Sequence, residues 1–168
     1  KTALSEYETN RSGALVAAKL KSEEDEYVAA FAAEEKGAYL VVTKDGMGIR
    51  FLKSDVSPTG RASSGVKAIT LAAGDHVVGV LPIEEKDPRV FSILTAEGTL
   101  KRTYLESIPL QGRAGKGVQL IRKRKTHPHM VVAVTVEETL YALTDKQEWV
   151  QVQAEQVGIT EQGGIGRA

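Results

Sequence analysis

Apolar and polar positions alternate along this chain in short bursts, and the bursts return in the same order. Residues 39–46 read Tyr-Leu-Val-Val-Thr-Lys-Asp-Gly, residues 91–98 Phe-Ser-Ile-Leu-Thr-Ala-Glu-Gly, and residues 140–147 Leu-Tyr-Ala-Leu-Thr-Asp-Lys-Gln. Each is an apolar run rich in β-branched and aromatic residues, then a threonine, then a polar turn. That pattern predicts a strand entering a hairpin. Asp45-Gly46 and Glu97-Gly98 close the first two turns, and Gln147 takes the place of glycine in the third.

A glycine-rich basic loop follows each hairpin. It reads Arg61-Ala-Ser-Ser-Gly65-Val-Lys67 and Arg113-Ala-Gly115-Lys116-Gly117-Val118, with a shorter copy at Arg11-Ser-Gly13 and a weaker one at Gln162-Gly-Gly-Ile-Gly166-Arg167. Strands are expected after the loop, over 15–20, 66–71 and 118–121. A further apolar strand is expected over 27–31, 76–81 and 130–136, ahead of an acidic pair at Glu34-Glu35, Glu84-Glu85 and Glu137-Glu138. Thr43 and Thr95 are 52 residues apart, and Thr95 and Thr144 are 49 apart. A period of about 50 residues holding about four short strands is that of a propeller-type blade. Helical periodicity is poor, and no linker or low-complexity tract interrupts the array. The expected architecture is all-β: a partial blade over 1–36, whole blades over 37–86 and 87–138, and a partial blade over 139–168. Half-blades leave unpaired strand edges. Either the first and last segments pair to close a small ring, or the chain is a piece of a longer array, which is the preferred reading.

Composition changes this picture little. The 168 residues include no cysteine, which removes disulfides, thiolate chemistry and zinc sites that need Cys. No apolar run is long enough to cross a bilayer as a helix, and the N-terminus lacks a signal-peptide layout. Charge matters more. Lys and Arg number 22 and Asp and Glu 22, so the formal net charge is zero, which argues against a polyanion as partner if the signs are mixed. They are segregated. Acids gather at 23–26 and in the recurring pairs; bases gather at Lys101-Arg102, at Arg113 and Lys116, and at Arg122-Lys123-Arg124-Lys125.

The loop Gln111-Gly-Arg-Ala-Gly-Lys-Gly117 is the strongest local motif. Its glycines let backbone N–H groups approach an anion, and Arg113 and Lys116 add donors suited to phosphate. A single such loop serves equally well as a tight turn that begins a strand. It is not a nucleotide P-loop: Leu110 stands where the first glycine is needed, and Gly117 where Ser or Thr is needed. Repetition favours the phosphate reading. Basic loops on successive blades form a track that fits a long polyanion. His76, His127 and His129 are too few to make a metal site. The acidic pairs recur at a loop corner, which fits solvation better than catalysis, and Phe51, Tyr104 and Trp149 read as packing residues.

Thr59-Gly-Arg61-Ala-Ser-Ser-Gly65-Val-Lys67-Ala-Ile69, Thr43-Lys-Asp-Gly46-Met-Gly-Ile-Arg50-Phe51 and Leu94-Thr-Ala-Glu-Gly98-Thr-Leu-Lys101-Arg102-Thr103 closely resemble blades of the C-terminal domain of bacterial type II topoisomerase A subunits, in repeated register through nearly the whole chain. The resemblance implies a β-pinwheel, a propeller variant whose blades exchange strands, of which this chain is about half. It implies a rim that binds and bends or wraps double-stranded DNA, without reading its sequence, for the catalytic core. Rim contact by Arg61, Lys67, Arg113 and Lys116 follows from it, with Arg11 and Arg167 as looser matches. The full DNA-facing set expected is Arg11, Arg61, Lys67, Lys101, Arg102, Arg113, Lys116, Arg122, Lys123, Arg124 and Lys125. The gyrase box Gln-Arg-Arg-Gly-Gly-Lys-Gly is matched at Gln111, Arg113, Gly115, Lys116 and Gly117, but not at Gly112 and Ala114, and at least one whole blade precedes it. Both departures favour topoisomerase IV over gyrase. The resemblance also implies that the domain itself is non-catalytic, with ATP and Mg2+ used elsewhere in the parent enzyme. Its partners would be the catalytic domains of the same polypeptide, together with the ATPase B subunit, in the cytoplasm at the bacterial nucleoid. The rival readings are a protein–protein interaction propeller and an enzyme with a central carboxylate or metal site.

Overall fold

The computed structural model describes residues 1–10, 12–122 and 130–166. Among them there is no α-helix. Nine strands build three antiparallel sheets: β1 (Ala38–Thr43), β2 (Met47–Leu52), β3 (Val77–Ile83), β4 (Val90–Thr95), β5 (Leu100–Tyr104), β6 (Val118–Gln119), β7 (Val131–Thr135), β8 (Thr139–Leu143) and β9 (Trp149–Gln153). The three expected hairpins are β1–β2, β4–β5 and β8–β9. Gly46 and Gly98 take positive φ at the first two turns, and Gln147 does so at the third, at 63°.

Sheet order shows how the units interlock. The first sheet runs β3-β1-β2-β6, the second β5-β4-β7, and the third is the β8–β9 hairpin alone. In both larger sheets the later apolar strand returns to the first strand of its own hairpin, with Leu40 opposite Leu81 and Ile93 opposite Val134. The fourth strand of the first sheet comes from the next unit: Val118 pairs with Gly48 and Gln119 with Met47. The sheets therefore cross the sequence boundary at 86/87. Gly117 makes the exchange feasible, since its φ is +73° and its α-carbon lies against the Gly48 carbonyl, where a Cβ would collide. One unit later, Gly166 lies close to Thr99 and Leu100, where a Cβ would meet the Thr99 methyl and the Leu100 carbonyl.

Several expected strands do not form. Residues 15–20, 27–31 and 66–71 belong to no strand, and 118–121 shortens to two residues. Residues 66–67 stand where 118–119 stand one unit later, but among the described residues no hairpin precedes residue 38 to accept them. A strand without a ladder partner gains nothing from its propensity.

The core has two parts, one on each face of β1. Ala38, Leu40 and Val42 point into one cluster with Phe91, Ile93, Leu105, Ile108, Leu120 and Ile121. Tyr39 and Val41 point the other way, onto Ile49, Phe51 and Ile69. Burial on both faces explains why β1 is apolar at successive positions rather than alternating. The third hairpin is less covered: Tyr141 is 67% exposed and Trp149 72%.

Candidate nucleic-acid interface

The repeating basic loops are joined edge to edge. Ala114 N–H donates to the Ala68 carbonyl and Thr70 N–H to the Gly115 carbonyl, both at 2.8 Å. The Thr70 hydroxyl adds a bond to the Ala114 carbonyl at 2.7 Å. One unit on, Gly163 N–H donates to the Leu120 carbonyl at 3.2 Å and Arg122 N–H to the Gly164 carbonyl at 3.1 Å. Positions 68, 70, 114 and 115 thus map onto 120, 122, 163 and 164. This register places Arg61, Arg113 and Gln162 at one loop position, and Lys67 and Gln119 at another.

Of the expected DNA-facing residues, Lys67, Lys116 and Arg122 are exposed on these joined segments. Arg61 and Arg113 are half-buried. The Arg61 guanidinium lies 5.9 Å from the centre of the Tyr7 ring, with its Nε unpartnered. Arg113 Nε donates to the Asp55 carbonyl at 3.1 Å, and Nη1 donates to the Lys67 carbonyl. Arg11, Lys123, Arg124, Lys125 and Arg167 lie outside the described residues.

Two further residues of the set are held by main-chain carbonyls. Lys101 is 1% exposed and its ammonium donates to the Leu120 carbonyl. Burial pushes its pKa down from 10.5 to about 8. It pairs with Ile93 at the register position that the buried Ile49 holds in the preceding hairpin, so its side chain enters the core layer. A side chain there is not presented to a polyanion. Arg102 is half-buried, and its Nη1 donates to the Val157 carbonyl at 3.1 Å. Arg50, its counterpart 52 residues earlier, is buried and donates to the Leu105 and Glu85 carbonyls at 2.9 and 3.0 Å. Both arginines fasten a hairpin to the chain that follows. The Arg50 carbonyl accepts from Gln111 N–H at 2.8 Å and the Arg102 carbonyl from Thr160 N–H at 2.9 Å. The sequence signal for this role was their equal phase in the repeat.

The acids lie elsewhere. Glu84 and Glu85 follow Ile83, which pairs with Ala38 opposite Leu52, whereas the exchanged basic loop meets the same hairpin at Met47 and Gly48. Four strand steps separate Gly48 from Leu52, about 13 Å. Zero net charge is therefore compatible with a basic edge. At the acidic end, Asp87 is 1% exposed and accepts from Arg89 Nε and Nη2 at 2.9 and 2.7 Å and from Arg89 and Glu84 N–H. The Arg89 hydrogen bonds lower its pKa to about 2. Among the described residues, no three His, Cys, Asp or Glu side chains converge to hold a metal ion, and no helix is long and apolar enough to cross a membrane.

Residues 39–84 and 92–136 match the family model of the DNA gyrase C-terminal domain, a β-propeller. The chain belongs to that family. The DNA gyrase A protein of Mycobacterium leprae is 35% identical over 161 residues, covering 94% of this chain and 12% of the relative. The DNA topoisomerase 4 A protein of Staphylococcus aureus is 34% identical over 135 residues, covering 79% and 16%. The chain spans less than a fifth of either relative's length. The crystal structure of the C-terminal domain of DNA topoisomerase IV superposes with a TM-score of 0.91 at 25% identity, covering 99% of this chain and 52% of that one. A gyrase A C-terminal domain superposes at 0.78 and 22% identity, covering 90% of this chain and 52% of that one. The all-β, propeller-type array expected from the repeat is the fold observed. The relatives include both gyrase and topoisomerase IV, so the comparisons do not separate the two.

Proposed function

We propose that this domain binds duplex DNA without reading its sequence and bends it along the joined loop edge, delivering a segment to the catalytic core of a type II topoisomerase. The observation that carries this reading is the main-chain stitching of successive basic loops, which puts Lys67, Lys116 and Arg122 on consecutive paired segments. Cations in such a row displace counterions from phosphates, and each neutralised phosphate contributes a slope of about −0.9 in log K against log salt. Curvature of the row selects for bendable duplex. The reaction itself, ATP-dependent strand passage, would belong to other domains of the same polypeptide and to the ATPase B subunit, which use the ATP and Mg2+. In this reading the domain works in the bacterial cytoplasm, at the nucleoid. The departures at Gly112 and Ala114 support topoisomerase IV, with bending rather than chiral wrapping. A nicked-circle ligation assay would then leave the linking number unchanged.

The deciding experiment is a salt-titrated gel shift on linear duplex. Lys67→Gln and Lys116→Gln should each lower the slope by about 0.9. Equal slopes for the native chain and the double variant would remove the assignment. A protein-binding role is favoured by the exposed apolar face of β8–β9, which includes Tyr141, Leu143 and Trp149. It predicts salt-insensitive partner capture and no DNA shift.

A further inference from the structure

We infer that Arg113 is a positioning residue: its guanidinium clasps two carbonyls of the preceding unit and sets the angle between successive loops, and it does not neutralise a phosphate. This rests on the DNA-binding reading and refines it. Nε reaches the Asp55 carbonyl and Nη1 the Lys67 carbonyl, so one side chain ties the loop that carries Lys116 to two separate points of the preceding unit. A guanidinium holds its donors in a rigid fork, so engaging two of them fixes its orientation. The backbone bonds at 68, 70, 114 and 115 run alongside, and the clasp closes the same seam.

The next seam supplies the independent argument. Gln162 occupies the position of Arg113 one unit later, and its Nε2 donates to the Gln119 carbonyl at 3.1 Å. Gln119 is the counterpart of Lys67 in the loop register. A neutral amide thus makes the same bond to the same backbone position. From Arg113 to Gln162 the hydrogen-bond donor aimed at the neighbouring loop is kept while the positive charge is not. Arg61, at the same position one unit earlier, rests its guanidinium on the Tyr7 ring. Lys67 and Lys116, exposed beside the clasp, remain the phosphate ligands, and their relative placement is what Arg113 governs.

The test separates charge from geometry with end-labelled duplex of about three helical turns, about 30 base pairs, reading bend by energy transfer at saturating protein and slope by salt titration. Arg113→Lys keeps the charge but cannot span both carbonyls; Arg113→Gln removes the charge. Both variants should lose the bend while retaining the native salt slope, whereas Lys116→Gln should lower the slope by about 0.9. A lysine variant with the native bend, together with a glutamine variant that loses about 0.9 of slope, would overturn the inference and make Arg113 a phosphate ligand. Thermal unfolding is measured alongside. If Arg113→Gln does not fold, the lysine variant decides alone: a lost bend with native slope supports the clasp, and a native bend refutes it. Absence of any salt-dependent shift by the unaltered chain would instead remove the DNA reading beneath it.

Discussion

Replacing Lys101 with methionine should stabilise the domain. The ammonium is buried in a layer where the preceding hairpin places Ile49, and it donates to the Leu120 carbonyl. Two effects compete there. A hydrogen bond from a charged donor contributes about 1.5–3 kcal/mol, and desolvation of an ammonium costs at least several. The pKa reports the balance, because it falls from 10.5 to about 8. At about 1.4 kcal/mol per unit, that fall disfavours the charged form in the folded state by about 3 kcal/mol. The folded pKa lies below the unfolded one, so between pH 8 and 10.5 the unfolded chain retains a proton that the folded chain has released. Stability should therefore rise with pH across that window, and the whole penalty should be present below it. Methionine fills a similar volume without the charge, and the Leu120 carbonyl still accepts from Gly163 N–H. Lys101→Met should gain about 1–2 kcal/mol at neutral pH, after loss of the ammonium bond, and should flatten the alkaline rise. Urea unfolding followed by circular dichroism at neutral pH and at pH 10 measures both. A variant that is less stable by about 2 kcal/mol at neutral pH, or that keeps the alkaline rise, would show that the hydrogen bond outweighs desolvation.

Asp87→Asn should cost about 2 kcal/mol, because it removes the charge that holds Arg89 and two backbone N–H groups. Since its folded pKa is depressed from 3.8 to about 2, this stability is complete above pH 3.8 and lost as pH falls through about 2, so acid unfolding of the native chain should be steeper than that of the variant. Ala114 has φ +68° and Gln147 φ +63°, both in the region that penalises a Cβ. Ala114→Gly and Gln147→Gly should each raise stability by up to about 1 kcal/mol, visible as a higher melting temperature. Gly117→Ala should do the reverse by about 2 kcal/mol or more, and faster hydrogen exchange at the Val118 amide would show the exchanged strand coming away from Gly48.

The hairpins were legible because each concentrates its signals in about a dozen residues: a β-branched run, a threonine and a turn. Their period identified a blade, and the period in turn made the loops comparable. Strand exchange was expected only through the family resemblance and was not legible in the repeat itself. Val118–Gln119 is too short to carry a periodicity of its own, and its partner Gly48 lies 70 residues away. Whether a cation faces solvent was legible only in part. Lys101 and Arg102 are adjacent in β5 and read as one basic pair, yet consecutive strand residues face opposite ways. Comparing Lys101 with Ile49 assigns it to the core, and comparing Arg102 with Arg50 assigns it to a backbone fastening. Arg113 needed coordinates, because its acceptors are the carbonyls of Asp55 and Lys67, and a carbonyl leaves no trace in residue type. A count of basic residues therefore overstates the polyanion surface of a repeat protein. The cations whose donors are taken by main-chain carbonyls, Arg50, Lys101, Arg102 and Arg113, are the ones committed to the fold. Exposed cations such as Lys67 and Lys116 are the ones the proposed DNA contact would use.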